Sequence, residues 1–140
     1  MKRLIFTFAI VLLSSIILNA QNQQSNGEKQ YYETEARNNY KIDGSGNRTD
    51  KSNNIIPLKV NVIIERGKVT IGQTIYYLGT GGSRSTVPSG DIAYKYWGRS
   101  DEYNDIGIQV NYSIDTKRAT MIYISIYGIG VEYAYALKQD

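Results

Sequence analysis

The chain has 140 residues, with 16 Lys and Arg against 13 Asp and Glu, and it contains neither His nor Cys. The lack of these two residue types excludes Ser-His-Asp triads, cysteine nucleophiles and the usual zinc ligands. Stability must come from packing rather than from disulfide bonds.

Residues 1–20 have the layout of a cleavable signal peptide. Lys2 and Arg3 precede an apolar run from Leu4 to Leu18, and the small residue Ala20 comes just before a polar stretch. The run is shorter than the roughly 20 apolar residues that span a bilayer, which favours cleavage over a membrane anchor. The junction resembles that of bacterial signal peptides, and no cysteine follows it that could carry a lipid. We therefore predict an exported protein, periplasmic or extracellular, that is neither lipid-anchored nor membrane-bound in its mature form.

The charge balance argues against nucleic acid as a partner. The full chain has a formal net charge of +3, and the loss of Lys2 and Arg3 with the signal peptide would leave about +1. The remaining basic residues form no cluster beyond Lys117-Arg118, whereas a surface that follows a phosphate backbone needs many of them. We predict no nucleic-acid partner.

After the signal peptide we predict a polar leader and loop, largely flexible, over residues 21–54, and a β-domain over residues 55–140. Residues 21–30 are rich in Asn and Gln and carry no apolar side chain, so they cannot join a core. Residues 31–42 fit neither period well, and a short strand and a single helical stretch both remain open. Residues 43–54 are rich in Gly, Ser and Asn, which is typical of a loop.

Two stretches of alternating residues predict a β-hairpin. Leu58 to Ile64 and Val69 to Tyr77 carry apolar side chains at alternate positions, and Arg66-Gly67 between them suits a tight turn. Gln73 interrupts the second stretch, which we interpret as one strand.

The same alternation predicts four further strands, with loops at residues 79–90 and 98–104. Their apolar positions lie within Ile92 to Tyr96, Ile106 to Ile114, Ile122 to Ile126 and Ile129 to Leu137. In the second of these, Val110 is expected to point into the core and Asn111 towards water. The sequence therefore predicts an all-β fold, an antiparallel meander of about six strands that forms a small sandwich or barrel.

Two segments of the sequence carry oxygen-rich side chains that could serve catalysis or metal binding. Asp101, Glu102 and Asp105 are the only dense acidic group, and a pair of carboxylates can hydrolyse a glycosidic bond, although a solvated loop is the simpler interpretation. The segment from Asp43 resembles the opening of a calcium loop, but Arg48 stands where such a loop needs Gly. We predict no catalytic residue, no metal site and no cofactor.

Tyrosine is in excess, with 13 in the chain and the single tryptophan, Trp97, beside two of them. Such rings suit both stacking on sugars and contacts with proteins. Alternation assigns part of the excess to the core, namely Tyr112, Tyr133 and Tyr135. The candidate ligand contacts are aromatic residues that fall opposite the core faces: Trp97, Tyr76, Tyr123 and Tyr127.

The function predicted from these features is non-catalytic binding of a glycan or another protein by an exported β-domain. A small outer-membrane β-barrel is one alternative, although six strands fall short of the usual minimum of eight. A carboxylate-dependent hydrolase built on the Asp101 to Asp105 group is the other.

Overall fold

The computed structural model describes residues 29–49, 54–80 and 82–139. Within them the chain forms ten β-strands and no helix, and every strand pair is antiparallel. In chain order the strands are β1 (Gln30–Lys41), β2 (Ile55–Pro57), β3 (Asn61–Glu65), β4 (Lys68–Ile71), β5 (Thr74–Leu78), β6 (Ser83–Thr86), β7 (Ile92–Arg99), β8 (Ile106–Tyr112), β9 (Ala119–Ile126) and β10 (Val131–Leu137). The all-β prediction is confirmed.

Eight of these strands close into a barrel. Its order is β1-β3-β4-β5-β7-β8-β9-β10, and β10 pairs back onto β1. Strand β2 pairs with β1 beyond the end of β3, and β6 pairs with β7 beyond the end of β5. Since the sheet closes on itself, the fold is a barrel and not a sandwich, the two alternatives that the sequence left open.

Aliphatic side chains fill the barrel interior. An eight-stranded barrel is just wide enough for side chains to pack its centre, and antiparallel partners point to the same face, so the register brings the apolar positions together. The buried aliphatic residues of this core are Val62, Ile64, Val69, Ile71, Ile106, Ile108, Val110, Ala119, Ile122, Ile124, Ile126 and Leu137.

Most of the tyrosine excess is structural. Eight of the 13 tyrosines belong to this core or pack against it, namely Tyr32, Tyr76, Tyr94, Tyr96, Tyr103, Tyr112, Tyr133 and Tyr135. The core assignment of Tyr112 and Tyr135 is confirmed, and Tyr133 is partly buried against the same cluster. A phenol ring gives a small barrel a large apolar surface while its hydroxyl can find a polar partner.

Strand β1 corrects the predicted domain boundary. It lies within the expected leader and loop over residues 21–54, yet it pairs with both β3 and β10 and closes the barrel. Its apolar alternation is broken by a register shift between Thr34 and Ala36 and by the polar residues Arg37 and Asn39, which pair with Tyr135 and Tyr133. The strand alternative for this segment is therefore correct, and the β-domain begins before residue 55.

The single strand predicted over residues 69–77 is in fact two. Gly72 has a φ of +63°, a conformation that glycine tolerates, and it turns the chain between β4 and β5. The turn shifts the parity of alternation, so that Tyr76 pairs with the buried Val69. Tyr76 is only 6% exposed, which corrects its assignment to the outer face.

Two other expectations change. The predicted loop over residues 79–90 contains β6, and β7 runs to Arg99 rather than ending near Tyr96. The count of about six strands is therefore too low.

None of the described residues belongs to a helix that could cross a membrane. The predicted signal peptide lies outside the described residues.

Candidate functional site

A polar groove lies on the outer face of the barrel, over the neighbouring strands β7 to β10. Its floor consists of residues that pair across these strands and so share one face, such as Lys95 with Gln109 and Ser125 with Glu132. We call it the aromatic groove; it has a volume of about 540 Å³, within the usual range of ligand sites. The residues that line it are Ser45, Gly46, Asn47, Ser83, Lys95, Tyr96, Trp97, Gly107, Ile108, Gln109, Tyr123, Ser125, Tyr127 and Glu132.

Two aromatic rings form one end of the aromatic groove. Trp97 on β7 is 66% exposed, and its ring centroid lies 5.5 Å from that of Tyr127. Gly107 on β8 pairs with Trp97 on β7, and because it has no side chain it leaves the space in which the Tyr127 ring lies. A Cβ atom at position 107 would lie 2.9 Å from the Tyr127 hydroxyl. The glycine therefore sets how closely this ring approaches the sheet.

Gly107→Ala is expected to displace the Tyr127 ring while the barrel stays folded, because the clashing atom is the far end of a movable side chain. Trp97 is the only tryptophan of the chain and contacts that ring, so tryptophan fluorescence measures the displacement. Gly128→Ala is the matched control, since a Cβ atom there meets nothing within 4 Å. Identical emission spectra for the two variants would contradict the arrangement.

The loop over residues 43–49 forms one wall of the aromatic groove. Asp43 shapes it, because its carboxylate accepts hydrogen bonds from the backbone N–H groups of Ser45 and Asn47 at 2.8 and 2.9 Å. These bonds, that of Asn47 most of all, lower the pKa of the Asp43 carboxyl. Gly46 has a φ of +87° and packs against Tyr127. The carboxylate is thus occupied in holding the loop.

Arg48 ties this wall to the barrel. Its Nη2 atom lies 2.9 Å from Oε1 of Glu132, and its guanidinium lies 3.6 Å from the centroid of the Tyr40 ring. Ser125 donates a hydrogen bond to the other carboxylate oxygen of Glu132 at 3.1 Å. The Glu132 carboxylate is held in place from two sides, in a position to accept hydrogen bonds from a ligand.

Tyr123 contributes a phenol to the centre of the floor. Burial raises its pKa, although the nearby Arg48 lowers it. The hydroxyl is therefore protonated at neutral pH and can donate a hydrogen bond. Beside it, Gln109 donates a hydrogen bond from Nε2 to the side-chain oxygen of Asn111 at 2.8 Å.

A second depression continues the aromatic groove towards the far end of β8 and β9. This distal groove has a volume of about 500 Å³ and includes Asp91, Asn111 and Met121. Gln109, Tyr123 and Glu132 line both grooves, which makes them continuous. Asn111 points to this outer face but is buried, so the expectation that it faces water is wrong, whereas the burial of Val110 is confirmed.

Three of the four predicted contact residues meet at the aromatic groove: Trp97, Tyr123 and Tyr127. Tyr76 does not, because it points into the barrel. Sequence reasoning missed the polar residues, above all Gln109 and Glu132. The alternation of inward and outward positions along their strands could have indicated them, since both residues lie opposite the core.

The acidic group of the sequence does not converge on this site. Asp101 and Glu102 are exposed and line neither groove, whereas Asp105 borders a shallow outer depression beside Trp97. Among the described residues, no set of three or more Asp and Glu side chains is placed to hold a metal ion.

No family model, curated protein or solved structure matches the chain.

Proposed function

We propose that the protein is an exported, non-catalytic binding module that holds a carbohydrate in the aromatic groove. The observation that carries the proposal is the pairing of an exposed tryptophan, Trp97, with polar side chains on the adjoining floor. A sugar ring presents an apolar C–H face and a rim of hydroxyl groups, so its binding site needs aromatic rings beside hydrogen-bonding groups.

The polar groups of the groove suit hydroxyl recognition. Glu132 supplies carboxylate oxygens as acceptors, Gln109 supplies an amide, and Tyr123 supplies a phenolic donor. All three project from paired strands rather than from loops, and the Arg48 and Ser125 contacts fix the carboxylate. A site built in this way loses little side-chain entropy when it binds a ligand.

The outer surface of the barrel supports this proposal over the outer-membrane alternative. A membrane barrel places apolar residues outside and polar residues inside. Here Ile108 and Ile124 point inward, while Lys95, Gln109 and Glu132 point outward. Lipid contact would leave these outward groups without hydration, at a cost of several kcal/mol.

A hydrolase receives less support from the site. The predicted Asp101 and Glu102 do not line the groove, and the Glu132 carboxylate in it is paired with Arg48. Hydrolysis of a glycosidic bond needs a pair of carboxyl groups that flank the bond, whereas Glu132 is the only acidic side chain among the described residues that line the aromatic groove.

Trp97→Ala is expected to weaken polysaccharide binding at least about fivefold, because truncating a contact aromatic commonly costs more than about 1 kcal/mol. Affinity electrophoresis of the mature protein in gels that contain different neutral polysaccharides measures retention. Melting temperature should barely change, since the side chain is exposed. Tyr31→Ala is the control, because Tyr31 is 63% exposed and lies outside the groove.

Two results would contradict the proposal. One is the absence of retention by every polysaccharide. The other is capture of a protein partner that Trp97→Ala leaves unaffected, which would favour protein binding at another surface.

A further inference from the structure

Three depressions on the outer face are continuous. The outer depression shares Ser45, Trp97 and Tyr127 with the aromatic groove. The aromatic groove in turn shares Gln109, Tyr123 and Glu132 with the distal groove. A ligand can therefore pass over Trp97, cross the central floor and reach the loop at Val87 to Asp91 without leaving the surface.

The outer depression, the aromatic groove and the distal groove together form a furrow, which is longer than one sugar ring. Along β8 its floor extends from Gly107 to Asn111, which corresponds to about 13 Å at roughly 3.3 Å per residue, a span of two or three sugar rings. The outer depression lengthens it beyond Gly107. A pocket that closed around one terminal sugar would instead need a wall across the furrow, whereas here the shared residues Gln109 and Tyr123 belong to the floor strands β8 and β9.

The charges along the two grooves balance. Lys95 and Arg48 are the basic side chains, and Glu132 and Asp91 are the acidic ones. Arg48 and Glu132 already form an ion pair, and the outer depression adds only the acidic Asp105. Recognition of a polyanion requires an excess of positive charge, which this surface does not carry.

From this continuity and balance, and on the basis of the carbohydrate-binding function proposed above, we propose that the ligand is an internal segment of an unbranched neutral polysaccharide, bound along β8 and β9. The aromatic groove contacts one part of the chain, and the distal groove contacts the units that follow. Each additional unit up to the length of the furrow adds contacts, so affinity increases with chain length and then levels off.

The test uses neutral oligosaccharides from disaccharide to hexasaccharide, prepared from whichever polysaccharide the mature protein retains, with calorimetry as the readout. We expect an increase in affinity of about tenfold or more between the shortest and longest chains. Asp91→Ala, in the distal groove, should weaken binding of the hexasaccharide about fivefold and leave the disaccharide unaffected. Asp115→Ala, at an exposed turn outside the furrow, is the matched control.

The outcomes separate this inference from the function on which it rests. Equal affinity for short and long chains, or an equal effect of Asp91→Ala on both, overturns the extended mode but keeps carbohydrate binding. Tighter binding of oligogalacturonate than of neutral chains overturns the neutral class. Failure of every chain to bind overturns the proposed function and this inference with it.

Discussion

Ile124→Asp is expected to leave the barrel unfolded at room temperature. Ile124 is 0% exposed and pairs with Ile108 on β8 and Tyr133 on β10, so its side chain points into the packed interior. A carboxylate there loses its hydration without gaining a partner, at a cost of several kcal/mol. That cost is comparable with the whole stability of a small domain, about 5–15 kcal/mol. Circular dichroism and thermal melting measure the loss.

Ile114→Asp makes the same chemical change at a turn position that is 50% exposed. Surface substitutions of this kind usually alter stability by no more than about 0.5 kcal/mol, so this variant should melt close to the unmodified protein. Ile124→Val provides an intermediate step, with an expected loss of about 0.5–1.5 kcal/mol. Similar melting of the two aspartate variants would mean that the inward face of β9 is wrongly assigned.

Alternation predicted the fold where a strand has one buried and one polar face. Strand β8 is the clearest case, because Ile106, Ile108 and Val110 all point inward. The period of two is a direct consequence of the strand backbone. It remains readable in the sequence as long as nothing shifts the register.

Strand β1, which the sequence left open, and strand β6, which it did not predict, lack that signal for physical reasons. In β1 a bulge shifts the register at Thr34, and Arg37 then takes an inward position, where its guanidinium lies 4.8 Å from the Tyr133 ring centroid. In β6 all four residues are exposed, so neither face needs apolar side chains. A strand without a buried face has no hydrophobic period to detect.

The site was predictable only in part. Parity placed Trp97, Tyr123 and Tyr127 opposite the core, and the structure brings them to one groove. The wall of that groove depends on Arg48, which reaches Glu132 across 84 positions of sequence. Such a contact follows from the closure of the barrel through β1, and the sequence around Arg48 does not indicate it.

Alkaline unfolding is the second large effect expected, because several tyrosines lie inside the barrel. Burial raises the pKa of Tyr112, Tyr76 and Tyr135, and it raises the pKa of Tyr96 to about 12. The hydroxyl of Tyr112 forms no hydrogen bond within the described residues, and its ring packs edge-on against Tyr94 at 5.7 Å. Ionisation inside the folded barrel would bury a phenolate without hydration.

Stability is expected to fall at high pH, because the unfolded chain releases its phenolic protons at a lower pH than the folded barrel does. Below about pH 10 these phenols are protonated in both the folded and the unfolded chain, so their packing contributes fully to stability. Above pH 10 the unfolded chain ionises while the folded barrel keeps its protons. The free energy of unfolding then falls by up to about 1.4 kcal/mol per pH unit for each such tyrosine. Tyr96 is partly exposed, so solvent screening reduces its contribution to this fall in the free energy of unfolding.

Denaturant unfolding between pH 8 and pH 12 measures this fall, and phenolate absorbance reports the ionisation itself. Tyr112→Phe should stay folded at neutral pH, because it removes a hydroxyl that has no hydrogen-bond partner among the described residues. It should also shift the alkaline midpoint upward, because one phenol fewer ionises on unfolding. Tyr31→Phe controls for the loss of a hydroxyl at an exposed position. If the buried and exposed substitutions shift the midpoint equally, the interior tyrosines do not drive the transition.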